Sequence, residues 1–181
     1  PTCSDGKKNQ DELGIDCGGV CQKVCQLETS DVITLWSRVF RVREGQYDVA
    51  AYLENPNPFG IRALSYDFKI YDEDNILIRE LVGVTPVNPE ERFLIIVSNI
   101  DVGKRIPARA FIEVAKNPEW MRLDSPDRPK LTVSNIELTF APTPRVKALL
   151  SNESFFSVEG VTVSAIVFDK DKNALGVSST F

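Results

Sequence analysis

The chain has 181 residues, 43% of them apolar and 26% charged, which is the composition of a globular protein with a core and not of a disordered solvating chain. Its 21 Lys and Arg stand against 26 Asp and Glu, for a net charge of −5; without clustered cations, nucleic acid and anionic membrane surfaces are excluded as principal partners. Histidine is absent, which removes the commonest general base, the Ser–His and Cys–His nucleophile pairs and most catalytic zinc sites.

Residues 1–28 form a polar, Gly-rich stretch with no apolar period and with all four cysteines, Cys3, Cys17, Cys21 and Cys25. Such a segment cannot bury its own core and is expected to be held by cross-links or a metal. The cysteines are separated by 13, 3 and 3 residues, unlike the C-x2-C pairs of zinc ribbons. Disulfides are the expectation. Three pairings are open; Cys3–Cys17 with Cys21–Cys25 is preferred, closing a first loop of about 15 residues worth about 3 kcal/mol. Within that loop Asp5, Asn9, Glu12 and Asp16, a backbone carbonyl near Lys7 and, in reserve, Asp11 form an oxygen-rich set on a segment bent by Gly6 and Gly14. Oxygens of this kind suit Ca2+, and three carboxylates so close would repel one another without a cation.

From Asp31 the text becomes β-branched and aromatic runs separated by turns: VITLWSRVFRV, YDVAAYLE, IRALSYDFKIY, ILIRELVGV, RFLIIVSNI and ARAFIEV. Short strands at this spacing predict an antiparallel β-sandwich over residues 29–116. KNPEWMRLDSPDRPK carries Pro118, Pro126 and Pro129 and reads as a linker, residues 117–130. A second copy over residues 131–181 is expected, because an offset of 97 takes Asn55 to Asn152, Tyr71 to Phe168, Asp72 to Asp169 and Asp74 to Asp171. The same offset maps Leu64, Tyr66, Phe68 and Ile70 onto Val161, Val163, Ala165 and Val167, again an apolar face. The second copy lacks counterparts of RFLIIVSNI and ARAFIEV. Half a sandwich leaves an apolar face and unpaired edges in water, so the copy continues in a longer protein, packs on the first copy, or is completed by a strand of another subunit.

Two resemblances refine this reading. Residues 3–21, CSDGKKNQDELGIDCGGVC, resemble a small module, C-x-D-G-x2-N-x2-E-x-G-x-D-C-G-G-x-C, that recurs in secreted and surface proteins, with Val20 where a Pro is common. Residues 54–78, with Asn55-Pro56-Asn57 and Phe68-Lys69-Ile70-Tyr71-Asp72, resemble the FxLYD and late-embryogenesis-abundant families. The first resemblance implies an extracellular, calcium-type module. The second implies immunoglobulin- or fibronectin-like sandwich repeats, and neither brings catalytic residues.

The expectation is therefore an all-β protein: a disulfide-rich, calcium-binding module followed by sandwich repeats. It would act without catalysis as a structural or adhesion component of a cell surface, with other surface proteins or copies of itself as partners through strand edges. A polymerising filament subunit and a ligand-binding stress-type domain are the alternatives. No run of about 18 apolar residues is present, so membrane attachment would come from an anchor outside this chain. The start at Pro1, with Met121 the only methionine, implies a removed leader or anchor. The motifs G-x-S-x-G and G-x4-G-K-[ST] are absent, and Asp72, Glu73, Asp74, Asp169 and Asp171 read as hairpin tips. Trp36 and Trp120 are expected in packing roles.

Overall fold

The computed structural model describes residues 3–122, 129–141 and 144–180. It is built of antiparallel β-strands, with a single 3-10 turn, Gln26–Glu28, among the described residues. The chain divides into two compact units, Pro1–Leu123 and Asp124–Phe181.

In the first unit β1 (Ile33–Arg43), β2 (Gln46–Asn55) and β5 (Glu91–Asp101) form one sheet in that order. The other has β4 (Leu77–Val87), β3 (Gly60–Tyr71) and β6 (Arg109–Val114), with β7 (Trp120–Met121) beside the start of β3. Alternation along the strands sends every second side chain inward. Val49, Ala51 and Leu53 of β2 and Leu64, Phe68 and Ile70 of β3 are fully buried in a common cluster with Phe93 and Ile95 of β5. Register matches these faces, with Val49 opposite Val97, Ala51 opposite Ile95 and Leu53 opposite Phe93. Each such Leu or Phe contributes roughly 1.5–3 kcal/mol by leaving water. The sheets are tied at both margins: Ser37 Oγ on β1 donates to the Ala110 carbonyl on β6 at 2.6 Å, and Arg79 Nε on β4 to the Asp101 carbonyl on β5 at 3.2 Å.

The corner between β2 and β3 is organised by Asn55, which is 1% exposed. Its amide donates to the Phe59 and Asn88 carbonyls at 2.8 and 2.7 Å and accepts from the Asn57 N–H at 3.0 Å, so burial leaves no polar atom unmet. The segment read as a linker behaves differently from that expectation at its start. Trp120 is 1% exposed, sits in the core cluster, and pairs in β7 with Ile61. Pro118 interrupts the strand run, but the apolar area of one indole is enough to bring the chain back to the sheet. Pro126 lies outside the described residues.

The second unit contains two hairpins, β8 (Leu131–Thr139) with β9 (Arg145–Asn152) and β10 (Val163–Phe168) with β11 (Ala174–Thr180). The β10–β11 register repeats that of β3–β4 at the offset of 97 residue for residue: Tyr66 opposite Gly83 becomes Val163 opposite Thr180, and Ile70 opposite Arg79 becomes Val167 opposite Gly176. The irregularity before the turn recurs as well, between Ile70 and Tyr71 and between Val167 and Phe168. In both turns the aspartate accepts two backbone N–H groups: Asp72 Oδ1 from Asp74 and Ile76 at 3.1 and 2.8 Å, Asp169 Oδ1 from Asp171 and Asn173, both at 2.8 Å. These are Asx turns, which explains why aspartate recurs there. Asn152 likewise donates to the Phe156 carbonyl at 2.8 Å and accepts from Ser154 N–H at 2.9 Å, as Asn55 does with Phe59 and Asn57.

Candidate functional site

The cysteine module is built into the first unit. The bridges are Cys3–Cys21 and Cys17–Cys25, and this corrects the expected pairing. The reason lies in residues 22–24, which run alongside β7: Val24 N–H donates to the Trp120 carbonyl at 2.9 Å, Arg122 N–H to the Gln22 carbonyl at 2.8 Å, and Lys23 bridges Met121. Lys23 and Val24 are thereby held against β7, with Cys21 and Cys25 on either side each bonded to a cysteine earlier in the chain. The two loops therefore overlap, with Cys17 inside the span of the first bridge and its partner Cys25 beyond it. Val24 is 4% exposed and belongs to the core of the sheets.

Arg122 joins module to sheet. Its guanidinium donates to the Gly19 carbonyl at 2.7 Å, pairs with Glu28 at 3.9 Å and lies 6.0 Å from the centre of the Phe59 ring. Gly19 has φ +57°, and a Cβ there would fall 1.7 Å from the Asp11 carbonyl oxygen. Only glycine fits that approach. Sequence reading missed Arg122, since it falls in the segment taken as linker.

Of the candidate ligands, Asp5, Glu12 and Asp16 accept amide N–H groups, while Lys7 and Asn9 supply N–H donors to them. Asp16 takes the N–H of Asp5 at 2.9 Å and of Gly6 at 2.9 and 3.2 Å, one for each oxygen. Asp5 takes the N–H of Lys7 at 2.9 Å and the side-chain amide of Asn9 at 2.8 Å. Glu12, 5% exposed, takes the N–H of Asn9 at 3.1 Å. Asp11 contributes through its backbone carbonyl beside Gly19. Among the described residues the oxygens of Asp5, Glu12 and Asp16 do not gather in threes within 4.8 Å of one another; Glu12 does so with Cys3 and Cys21. Those two sulfurs are bonded to each other and offer no thiolate. The carboxylates of Asp5, Glu12 and Asp16 are turned onto amide N–H groups, which offset part of their charge.

On the outer face of the β4–β3–β6 sheet, Lys69 lies 3.1 Å from Glu113 and 3.6 Å from Asp67. The hydrogen bond to Glu113 raises the Lys69 ammonium above its ordinary range, and a hydrogen bond with Asp67 raises the Glu80 carboxyl. Arg92 is raised by its hydrogen bond to Glu54, 2.9 Å away. All three lie on solvated strand faces.

The second unit presents the other candidate. Val49, Ala51 and Leu53, wholly buried in the first unit, correspond to Val146, Ala148 and Leu150, of which Val146 is 38% and Leu150 39% exposed. With Val163, Ala165 and Val167 these side chains line a groove of about 810 Å³. Among the described residues β9 is paired only with β8, and β10 only with β11, whereas β2 is also paired with β5 and β3 with β6. No protein family, curated protein or solved structure matches the chain.

Proposed function

We propose that the chain is a non-enzymatic structural or adhesion component of a cell surface, exposed to an oxidising environment, whose sandwich repeats are of the immunoglobulin or fibronectin kind. The observation that carries the reading is the pair of overlapping disulfides within residues 3–25, a module that runs beside β7 of the β4–β3–β6 sheet. A reducing compartment would leave that module without a core. The shifted groups support the non-catalytic part, since they sit on open strand faces and not in a cleft with a nucleophile. The resemblance of residues 3–21 to a module of secreted proteins points the same way. An antibody raised on the oxidised protein should label intact source cells; labelling only after permeabilisation contradicts the reading.

A second reading, strand-mediated assembly, is favoured by the open edges of β9 and β10. The stress-type ligand-binding reading is disfavoured by the first unit, whose facing side chains fill the space between its sheets.

A further inference from the structure

Among the described residues Glu12 is the one acid that is buried, at 5% exposed, and its two oxygens meet different partners. Oε2 accepts the Asn9 N–H at 3.1 Å. Oε1 lies 3.5 Å from Cys21 Sγ, and that sulfur, bonded to Cys3, carries no hydrogen to donate. A carboxylate oxygen buried without a donor is costly, and the sulfur beside it would supply one as a thiol. At this contact the open pair is favoured over the closed bridge.

Exposure does not separate the two bridges. Each joins a part-exposed cysteine, Cys3 or Cys17, to a buried one, Cys21 at 2% or Cys25 at 7%. What covers the sulfurs does separate them. Gly14 lies against Cys17–Cys25 so closely that a Cβ on it would fall 2.8 Å from Cys17 Sγ and 3.0 Å from Cys25 Sγ. Cys3–Cys21 has the Glu12 carboxylate at its buried end instead. An incoming thiolate therefore meets Cys3, because Cys21 is out of reach and the carboxylate turned on it repels an anion.

We propose that Cys3–Cys21 is the exchangeable bridge of the module, that Cys3 is the sulfur on which a dithiol reductant forms a mixed disulfide, and that Glu12 is the positioning residue that receives the released Cys21 thiol. The electron pair of the broken S–S bond goes to Cys21 Sγ, which takes up a proton equivalent to the one the incoming thiol gives up and then donates to Glu12 Oε1. The second thiol of the reductant attacks its partner sulfur in the mixed disulfide and releases Cys3 as a thiol. The protein bridge gains two electrons and two protons, and the dithiol leaves as a disulfide. Cys17–Cys25 and the bonds of Gln22 and Val24 to β7 remain, so opening frees residues 3–16 and keeps residues 17–25 on the sheet. The exchange is independent of the surface-component reading, since it is measured in solution.

The test equilibrates the oxidised chain with rising dithiothreitol in metal-free buffer, quenches in acid, alkylates, and reads each cysteine by peptide mass. Cys3 and Cys21 should be labelled over a range of dithiol in which Cys17 and Cys25 are not, and glutathione added below stoichiometry should be found on Cys3 and not on Cys21. Glu12→Gln keeps an acceptor for Asn9 and offers Cys21 an N–H group, so it should make Cys3–Cys21 about threefold harder to reduce, the size of a weak hydrogen bond, and leave Cys17–Cys25 unchanged. A merely structural Glu12 predicts the reverse, because a loosened module gives up both bridges more easily. Opening of Cys17–Cys25 first or together with the other bridge, glutathione on Cys21, or a Gln variant reduced as easily as the wild type or more easily would overturn the proposal.

Discussion

Asp16 is the residue on which the loop of the cysteine module turns, because its two oxygens hold the amides of Asp5 and Gly6. Asp16→Ala should cost about 1.5–3 kcal/mol in chemical denaturation of the oxidised protein, the usual range for charge-assisted bonds. If amides alone balance these carboxylates, a chelator should leave the melting temperature unchanged, and a rise in millimolar calcium would return Asp5, Asn9, Glu12 and Asp16 to a ligand role. Glu80 gives a pH signature. Its carboxyl is raised in the folded protein by the hydrogen bond with Asp67. A raised acid contributes stability that is present below its unfolded value of 4.5 and is lost as pH rises through the folded pKa. Glu80→Gln should therefore flatten the dependence of stability on pH just above 4.5. An unchanged pH profile in urea denaturation would remove Glu80 from the account. Residue types alone marked these acids as candidates, but their partners were not legible: an Asp that accepts an N–H and an Asp that ligates a cation have the same letter and the same spacing.

Among elements, alternation was the strongest signal. The runs around Val49, Leu64 and Phe93 read as strands because every second residue is apolar, and they are the buried faces of β2, β3 and β5. The segment around Trp120 was read as a linker, since three prolines obscured a two-residue strand whose pairing is decided by one buried indole. Disulfide pairing was also illegible, because it follows from the path of residues 22–24 beside β7 and not from cysteine spacing. That path makes Arg122 and Gly19 testable together. Arg122→Ala should lower the unfolding free energy of the oxidised protein by about 1–3 kcal/mol through the loss of its buried-side acceptor partner at Gly19. Gly19→Ala should be worse, since the Asp11 carbonyl stands where the methyl group would be, and protease cleavage within residues 3–25 under oxidising conditions would report it. Wild-type resistance in both variants would show that the module does not depend on this junction.

For the whole molecule, the offset of 97 carried furthest. It was visible from Asn55, Asp72 and their counterparts, and the same spacing holds strand register, the turn hydrogen bonds and the irregularity before the turn. The sequence pattern also exposed the lack of a β5 counterpart. It could not show that the unit keeps its paired hairpins and an open groove, because that depends on packing of β8–β11. Reduction of the disulfides should lower the melting temperature of the first unit and leave the second unchanged, as both bridges lie in the first. The central claim, that the second unit repeats the first four strands of the first with β9 paired only to β8 among the described residues, is tested most directly by residue-resolved amide exchange on the oxidised chain alone. The amides of β2 should be protected along both edges, while those of β9 that β8 leaves unpaired should exchange at close to the rate of unprotected chain. Protection of β9 equal to that of β2 would contradict the claim.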